Sequence, residues 1–202
     1  SYVDITEFIQ IIDIKVGDPI LSVNLPDVKK RFEAMKWVEN SIIERKLPNT
    51  IKIFIDEYKP KAVWHQQGEF FVINAEGYII NSVSEEQMLH FADLIVIMGE
   101  NSKSHIASLY SFIEQDREVY KIISFAEYIG NRRWNIGTIN NVLIKLPAAD
   151  VADAWKYLLQ LHAELNILYG YIKVIDLRIP DKVFIELDTK YKRNRILLRE
   201  VG

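Results

Sequence analysis

Trp37-Val38-Glu39-Asn40-Ser41-Ile42-Ile43-Glu44-Arg45-Lys46-Leu47-Pro48-Asn49-Thr50-Ile51-Lys52-Ile53 is the stretch on which the fold turns. From Ile42 to Tyr58 its period is two: Ile51, Ile53 and Ile55 point one way and Lys52, Phe54 and Asp56 the other, which is a strand with one solvated face. Leu47-Pro48-Asn49-Thr50 reads as the turn between two such strands. Upstream the period becomes helical. Val28, Phe32 and Met35 recur on one face, so a helix is expected from Asp27 to Met35 with Asp27 as its cap, while Pro26 and Asn24 leave its start open. A shorter helix is expected around Phe8, Ile9 and Ile12, capped by Asp4 or Thr6 and closed by Gly17, Asp18 and Pro19. Two helices and a two-stranded ribbon form a small α+β unit with little apolar surface to bury.

Downstream, Lys59-Pro60-Lys61 interrupts the pattern, but Ala62, Val63 and Trp64 resume it at once, which describes a stiff joint and not a flexible linker. Glu69 to Asn74 and Gly77 to Asn81 suggest a hairpin, with Gly77 supplying a positive φ. Leu94 to Met98 is a short buried strand. A helix from Ser104 to about Asp116 carries Ile106, Leu109, Tyr110 and Ile113 on one side. Strands are expected at Val119 to Phe125, Arg132 to Ile136 and Val142 to Leu146, the last two joined by a turn from Gly137 to Asn141. The longest helix should run from Asp150 to Leu168, with Trp155, Leu158, Leu161 and Leu165 in its stripe, and stop at Gly170. A final hairpin pairs Ile172 to Ile179 with Val183 to Asp188 through Pro180-Asp181, with Ile175, Leu177 and Ile179 facing the core alongside Ile185 and Leu187. The basic segment after Thr189 (Lys190, Lys192, Arg193, Arg195, Arg199) is either a further strand or a tail.

The whole-chain balance removes several classes of function. With 25 basic and 28 acidic side chains the net charge is −3, so there is no field to collect polyanions, and a nucleic-acid role is not expected. The absence of cysteine excludes disulfides, thiolate metal sites and cysteine nucleophiles. His65, His90, His105 and His162 are far apart and form no H-E-x-x-H pair. G-x-S-x-G and a phosphate-binding glycine loop are also missing, and carboxylates such as Glu85-Glu86 or Asp176 and Glu186 fit a solvated face. No run approaches the roughly eighteen apolar residues of a membrane helix. Trp37, Trp64, Trp134 and Trp155 read as packing residues and not as an aromatic ligand site.

The run from Trp37 to Ile53, continued through Asp56-Glu57-Tyr58-Lys59-Pro60-Lys61-Ala62-Val63-Trp64, resembles the end of the POTRA module of FtsQ/DivIB cell division proteins. Val72-Ile73-Asn74-Ala75-Glu76-Gly77-Tyr78 resembles the hairpin opening that family's β domain, and Asp176-Leu177-Arg178 with the strand after it resembles its C-terminal signature. Asp93 to Gly99 lacks the proline usual at that place. The resemblance implies an α+β chain: a truncated POTRA module at residues 1–59 whose first strand is missing, then at 60–202 a mostly antiparallel β domain flanked by helices and ending in a basic segment.

The resemblance also implies a non-enzymatic divisome scaffold that links early and late division proteins, with no cofactor and no metal. It would be a single-pass protein of the bacterial inner membrane, anchored upstream of this chain, with this region periplasmic and at the septum. Its implied partners are coiled-coil proteins of the FtsB/FtsL type (DivIC/FtsL type) and other divisome components. The expected means is addition of a partner strand to Val183, Phe184, Ile185, Glu186, Leu187 and Asp188, with Phe184 as apolar anchor and Arg178, Glu186 and Asp188 matching charge. Trp37, Val38, Arg45 and Pro48 are the expected POTRA structural and recruitment positions, and Tyr58, Pro60 and Trp64 the domain joint. The competing readings are a POTRA-bearing component of outer-membrane assembly or secretion, and a cell-wall enzyme.

Overall fold

The computed structural model describes residue 17 and residues 19–188, so the expected helix around Phe8 to Ile12 and the basic segment from Lys190 onward lie outside the described residues. The chain divides into two compact units that part between Pro60 and Lys61.

In the first unit, helix α1 (Leu25–Glu33) begins two residues before the expected Asp27, because Asn24 is the cap: its side chain accepts the Asp27 N–H at 3.3 Å, with Pro26 in the first turn. Val28 and Phe32, four residues apart, form its buried stripe. Strands β1 (Val38–Lys46) and β2 (Thr50–Glu57) pair antiparallel in the register Ser41↔Ile55, Ile43↔Ile53, Arg45↔Ile51 on one face and Ile42↔Phe54, Glu44↔Lys52 on the other. The first set is buried or half-buried, and the second is exposed. The Arg45 guanidinium donates to the Val23 carbonyl at 2.5 Å, tying the hairpin to the segment before α1.

The second unit is a nine-stranded sheet: β3 (Ala62–Gln66), β4 (Glu69–Ile73), β5 (Ile79–Val83), β6 (Ile95–Met98), β7 (Ile123–Ile129), β8 (Arg133–Thr138), β9 (Leu143–Lys145), β10 (Ile172–Asp176) and β11 (Phe184–Leu187). Their spatial order is β11-β10-β9-β8-β7-β6-β3-β4-β5, parallel between β3 and β6, β6 and β7, and β9 and β10, antiparallel elsewhere. The helices are α2 (Ile106–Ile113), α3 (Arg117–Lys121) and α4 (Val151–Leu165).

The pairing defines two side-chain rows of opposite fate. Trp64, Ile97, Ala126, Ile136, Ile144 and Ile175 lie side by side on one face and pack with Leu109, Phe112, Trp155 and Leu158 in one apolar core, the Phe112 and Trp155 rings 5.5 Å apart. One residue along each strand, His65, Met98, Glu127, Asn135, Lys145, Asp176 and Phe184 form the row on the other face. Apart from Met98 and Phe184 that row is polar, and it is only partly buried up to Asp176 and exposed at Phe184, as period-two alternation allows on a solvated face.

Several expected boundaries are corrected. Val119 is helical: the Asp116 carboxylate accepts from Glu118 N–H and Val119 N–H, both at 2.9 Å, and this local cap outweighs the β-branched content, so β7 begins only at Ile123. Gly137 lies within β8, opposite Phe125, and the turn falls at Ile139 to Asn141. The longest helix ends at Asn166, whose left-handed φ of 57° closes it before Gly170. β10 ends at Asp176, and Ile179 is exposed. Ile185 and Leu187, expected in the core, are exposed as well: they lie on the end strand and outside the apolar core that holds Ile175.

Candidate functional site at the C-terminal edge of the sheet

β11 is the end strand, and among the described residues it is paired only with β10, through Ile175↔Ile185 and Asp176↔Phe184. Every residue of the strand is exposed: Phe184 at 52%, Ile185 at 47% and Leu187 at 38%, with Glu186 between them. Apolar side chains therefore stand uncovered on both faces of one strand, unlike an edge strand that only closes a sheet. Val183, just before it, packs against the core and anchors the strand at its start. At its other end the Asp188 N–H donates to the Tyr171 carbonyl at 2.8 Å.

Beside Phe184 lies a groove of about 550 Å³, whose walls include Arg132, Arg133, Pro147, Asp176 and Arg178. Register explains the gathering: Asp176 stands between Lys145 on β9 and Phe184 on β11, and Arg178 follows Asp176 by two residues. Arg178 grips Asp176 side-on, with Nε donating to Oδ1 at 2.8 Å and to Oδ2 at 3.0 Å, and Nη2 donating to Oδ2 at 2.6 Å. Hydrogen bonding from Arg178 holds the Asp176 carboxyl below its ordinary range against the opposing effect of burial, and the same pair raises Arg178 above its own. Of the charged residues lining the groove, sequence reasoning selected Arg178 for binding and did not select Arg132, Arg133 or Asp176. Arg132 and Arg133 come from the start of a distant strand, and only register brings them here.

The other expected positions fall into separate places. In the first unit Val38 is buried at the start of β1, and the Trp37 carbonyl accepts the Tyr58 N–H at 2.9 Å, so these three residues meet at one end of the hairpin. Arg45 and the exposed Pro48 lie toward its other end. In the second unit Trp64 packs 5.4 Å from Phe71 with the Lys103 ammonium 4.7 Å from its ring centre. Next to the joint, Lys61 is held by its N–H to the Ile73 carbonyl, by the Tyr110 hydroxyl to its own carbonyl at 2.7 Å, and by an ion pair to Glu114 at 2.6 Å. Burial, then the neighbouring Tyr120, pushes the Tyr110 phenol far above its ordinary range, so it remains a donor.

Among the described residues no group of three His, Asp or Glu side chains is placed to hold a metal ion, and no helix is long and apolar enough to cross a membrane. Residues 62–178 match the model of the cell division protein FtsQ/DivIB C-terminal family, and residues 2–58 match the FtsQ-type POTRA domain. The chain belongs to the FtsQ/DivIB family. The cell division protein FtsQ of Rickettsia conorii is 28% identical over 184 residues, covering 91% of this chain and 67% of that protein. FtsQ of Rickettsia bellii gives the same figures, and FtsQ of Caulobacter vibrioides is 28% identical over 170 residues, 84% of this chain and 55% of that protein. Among solved structures, the major extracytoplasmic domain of the trans isomer of DivIB from Geobacillus stearothermophilus aligns with a TM-score of 0.38 at 15% identity, over 55% of this chain and 96% of that one. As an FtsQ/DivIB protein the chain is a periplasmic, non-enzymatic scaffold of the division machinery, acting through protein–protein contacts.

Proposed function

We propose that this FtsQ/DivIB chain holds the extracytoplasmic segment of an FtsB/FtsL-type partner by strand addition to β11. The observation that supports it most is the exposure of all four β11 residues on a strand that, among the described residues, is bonded on one side. A partner segment laid along that margin completes the backbone ladder, while alternate side chains give specificity. Phe184 is the apolar anchor, and Ile185 and Leu187 offer a second contact on the opposite face. Arg178, with Arg132 and Arg133, favours an acidic residue in the partner, and Glu186 and Asp188 favour a basic one. The POTRA positions Trp37, Val38, Arg45 and Pro48 serve recruitment of other division proteins, Tyr58, Pro60 and Trp64 form the joint, and a membrane helix anchors the chain at the septum.

The test is to titrate the chain with the extracytoplasmic segment of its organism's FtsB-type protein, as wild type and as Phe184→Lys. The substitution puts a charge where an apolar contact is needed, and the expected loss is at least tenfold, or about 1.4 kcal/mol. Equal affinity for a variant with wild-type melting behaviour rejects Phe184 as the anchor and β11 with it.

A further inference from the structure

Removing an anionic residue from a cationic groove should help it bind an acidic partner, yet Asp176 lines this one among three arginines. Its position is fixed by strand pairing to Lys145 and Phe184, and it takes hydrogen bonds from Nε, Nη2 and the backbone N–H of Arg178, the last at 3.1 Å. A guanidinium has five N–H groups. The fork consumes the Nε edge and leaves both Nη1 hydrogens and one on Nη2 to point elsewhere. In the same groove Arg133 Nε is out of contact with water and has no hydrogen-bond partner. Arg133 thus adds a second guanidinium to the wall of the groove, and the acceptor suited to such a pair is an anion.

Building on the strand-addition reading above, we propose that Asp176 is a positioning residue: it locks Arg178 so that its free guanidinium edge is set in advance for a carboxylate of the added segment. An unconstrained arginine loses rotamer freedom when it is captured by a ligand, whereas one already forked to a neighbour has lost it on folding. Asp176 thus gives up part of the groove's positive charge in exchange for orientation. Charge and orientation predict opposite signs for its removal.

The experiment measures association and dissociation of the FtsB-type segment with the full chain as wild type, Asp176→Asn, Asp176→Glu, Arg178→Ala and the Asp176→Asn/Arg178→Ala pair. Positioning predicts that Asp176→Asn weakens binding about tenfold through faster dissociation, although the groove becomes more positive. Asp176→Glu keeps the charge but displaces the fork, and is expected to weaken binding in the same way. In the Arg178→Ala background the Asp176→Asn change should cost nothing further. Equal or tighter binding by both Asp176 variants shows that only net charge matters and overturns the proposal. An equal loss in both backgrounds shows that Asp176 merely supports the hairpin, and overturns it too. If Phe184→Lys weakens binding while the Asp176 variants do not, the positioning role alone fails. If wild type does not bind the segment, or Phe184→Lys binds as wild type does, the strand-addition reading fails and takes this inference with it.

Discussion

At Gly77 the backbone has φ +79°, and a β-carbon there would meet the Lys103 carbonyl oxygen. Asn74 shapes the approach, its side chain accepting from the N–H groups of Glu76 and Tyr78. Gly77→Ala therefore combines a disfavoured φ with a backbone clash, and is expected to destabilise the second unit by about 2 kcal/mol or more, read from urea unfolding. The sequence reading foresaw the positive φ but not the clash, since the Lys103 loop is distant in the chain. Gly137 misled it for a related reason. Glycine signals a turn or a close approach equally well, and here the approach is Phe125, whose ring occupies the place of a Gly137 β-carbon. Asp176 gives a residue-scale test by pH. Its carboxyl is depressed in the folded chain, so the stabilisation it brings is present above its unfolded value, near pH 4, and is lost as pH falls through the lower folded value. Carboxyl NMR should find the Asp176 midpoint below the ordinary range in wild type and returned toward it in Arg178→Ala.

Among the elements, β11 departs furthest from what alternation implied. Phe184, Ile185, Glu186 and Leu187 carry an apolar alternate set, and placing Ile185 with Ile175 on one face is correct in register. What period two cannot reveal is whether anything lies above that face. Ile175 belongs to the apolar core and its register partner Ile185 does not, so a strand that reads as half-buried is exposed on both sides. The α3 error has a different origin: Val119, Ile122 and Ile123 look like a strand when counted by type, and the two N–H groups captured by Asp116 decide otherwise. β1, β2 and the two long helices were legible because their periods are sustained, each within its own compact unit. Strand addition makes an element-scale prediction. When the FtsB-type segment binds, the β11 amides not bonded to β10 should exchange hydrogen at least about tenfold more slowly, while those of β7 at the sheet centre stay as they were. Unchanged exchange along β11 would mean that the segment binds by side chains alone.

Across the whole molecule, the order of the strands in the chain determines which strand is left at the margin. β3, β6 and β7 run parallel and need crossovers, so they occupy the interior of the sheet, and the later strands are laid down outward from β7 to β11. Among the described residues the last strand thus ends the sheet, where the row that buries Ile97, Ile136 and Ile144 runs out into the exposed Ile185. The family resemblance reached this conclusion from Asp176-Leu177-Arg178 and the strand after it, but the mixed strand order and the arrival of Arg132 and Arg133 beside Phe184 depend on long-range pairing that no local pattern records. A consequence is that stability and binding should separate at this margin. A chain ending at Asp188 and one ending at Val183 differ by β11 and Asp188; Val183 keeps its core contact in both, and none of the β11 residues lost is buried. The shorter chain is expected to melt within about 4 °C of the longer one, because it gives up exposed side chains and one hairpin ladder while the core remains. Its affinity for the FtsB-type segment should fall below detection. A shorter chain that fails to fold would mean that β11 supports the sheet as a structural strand, and one that still binds would place the partner elsewhere.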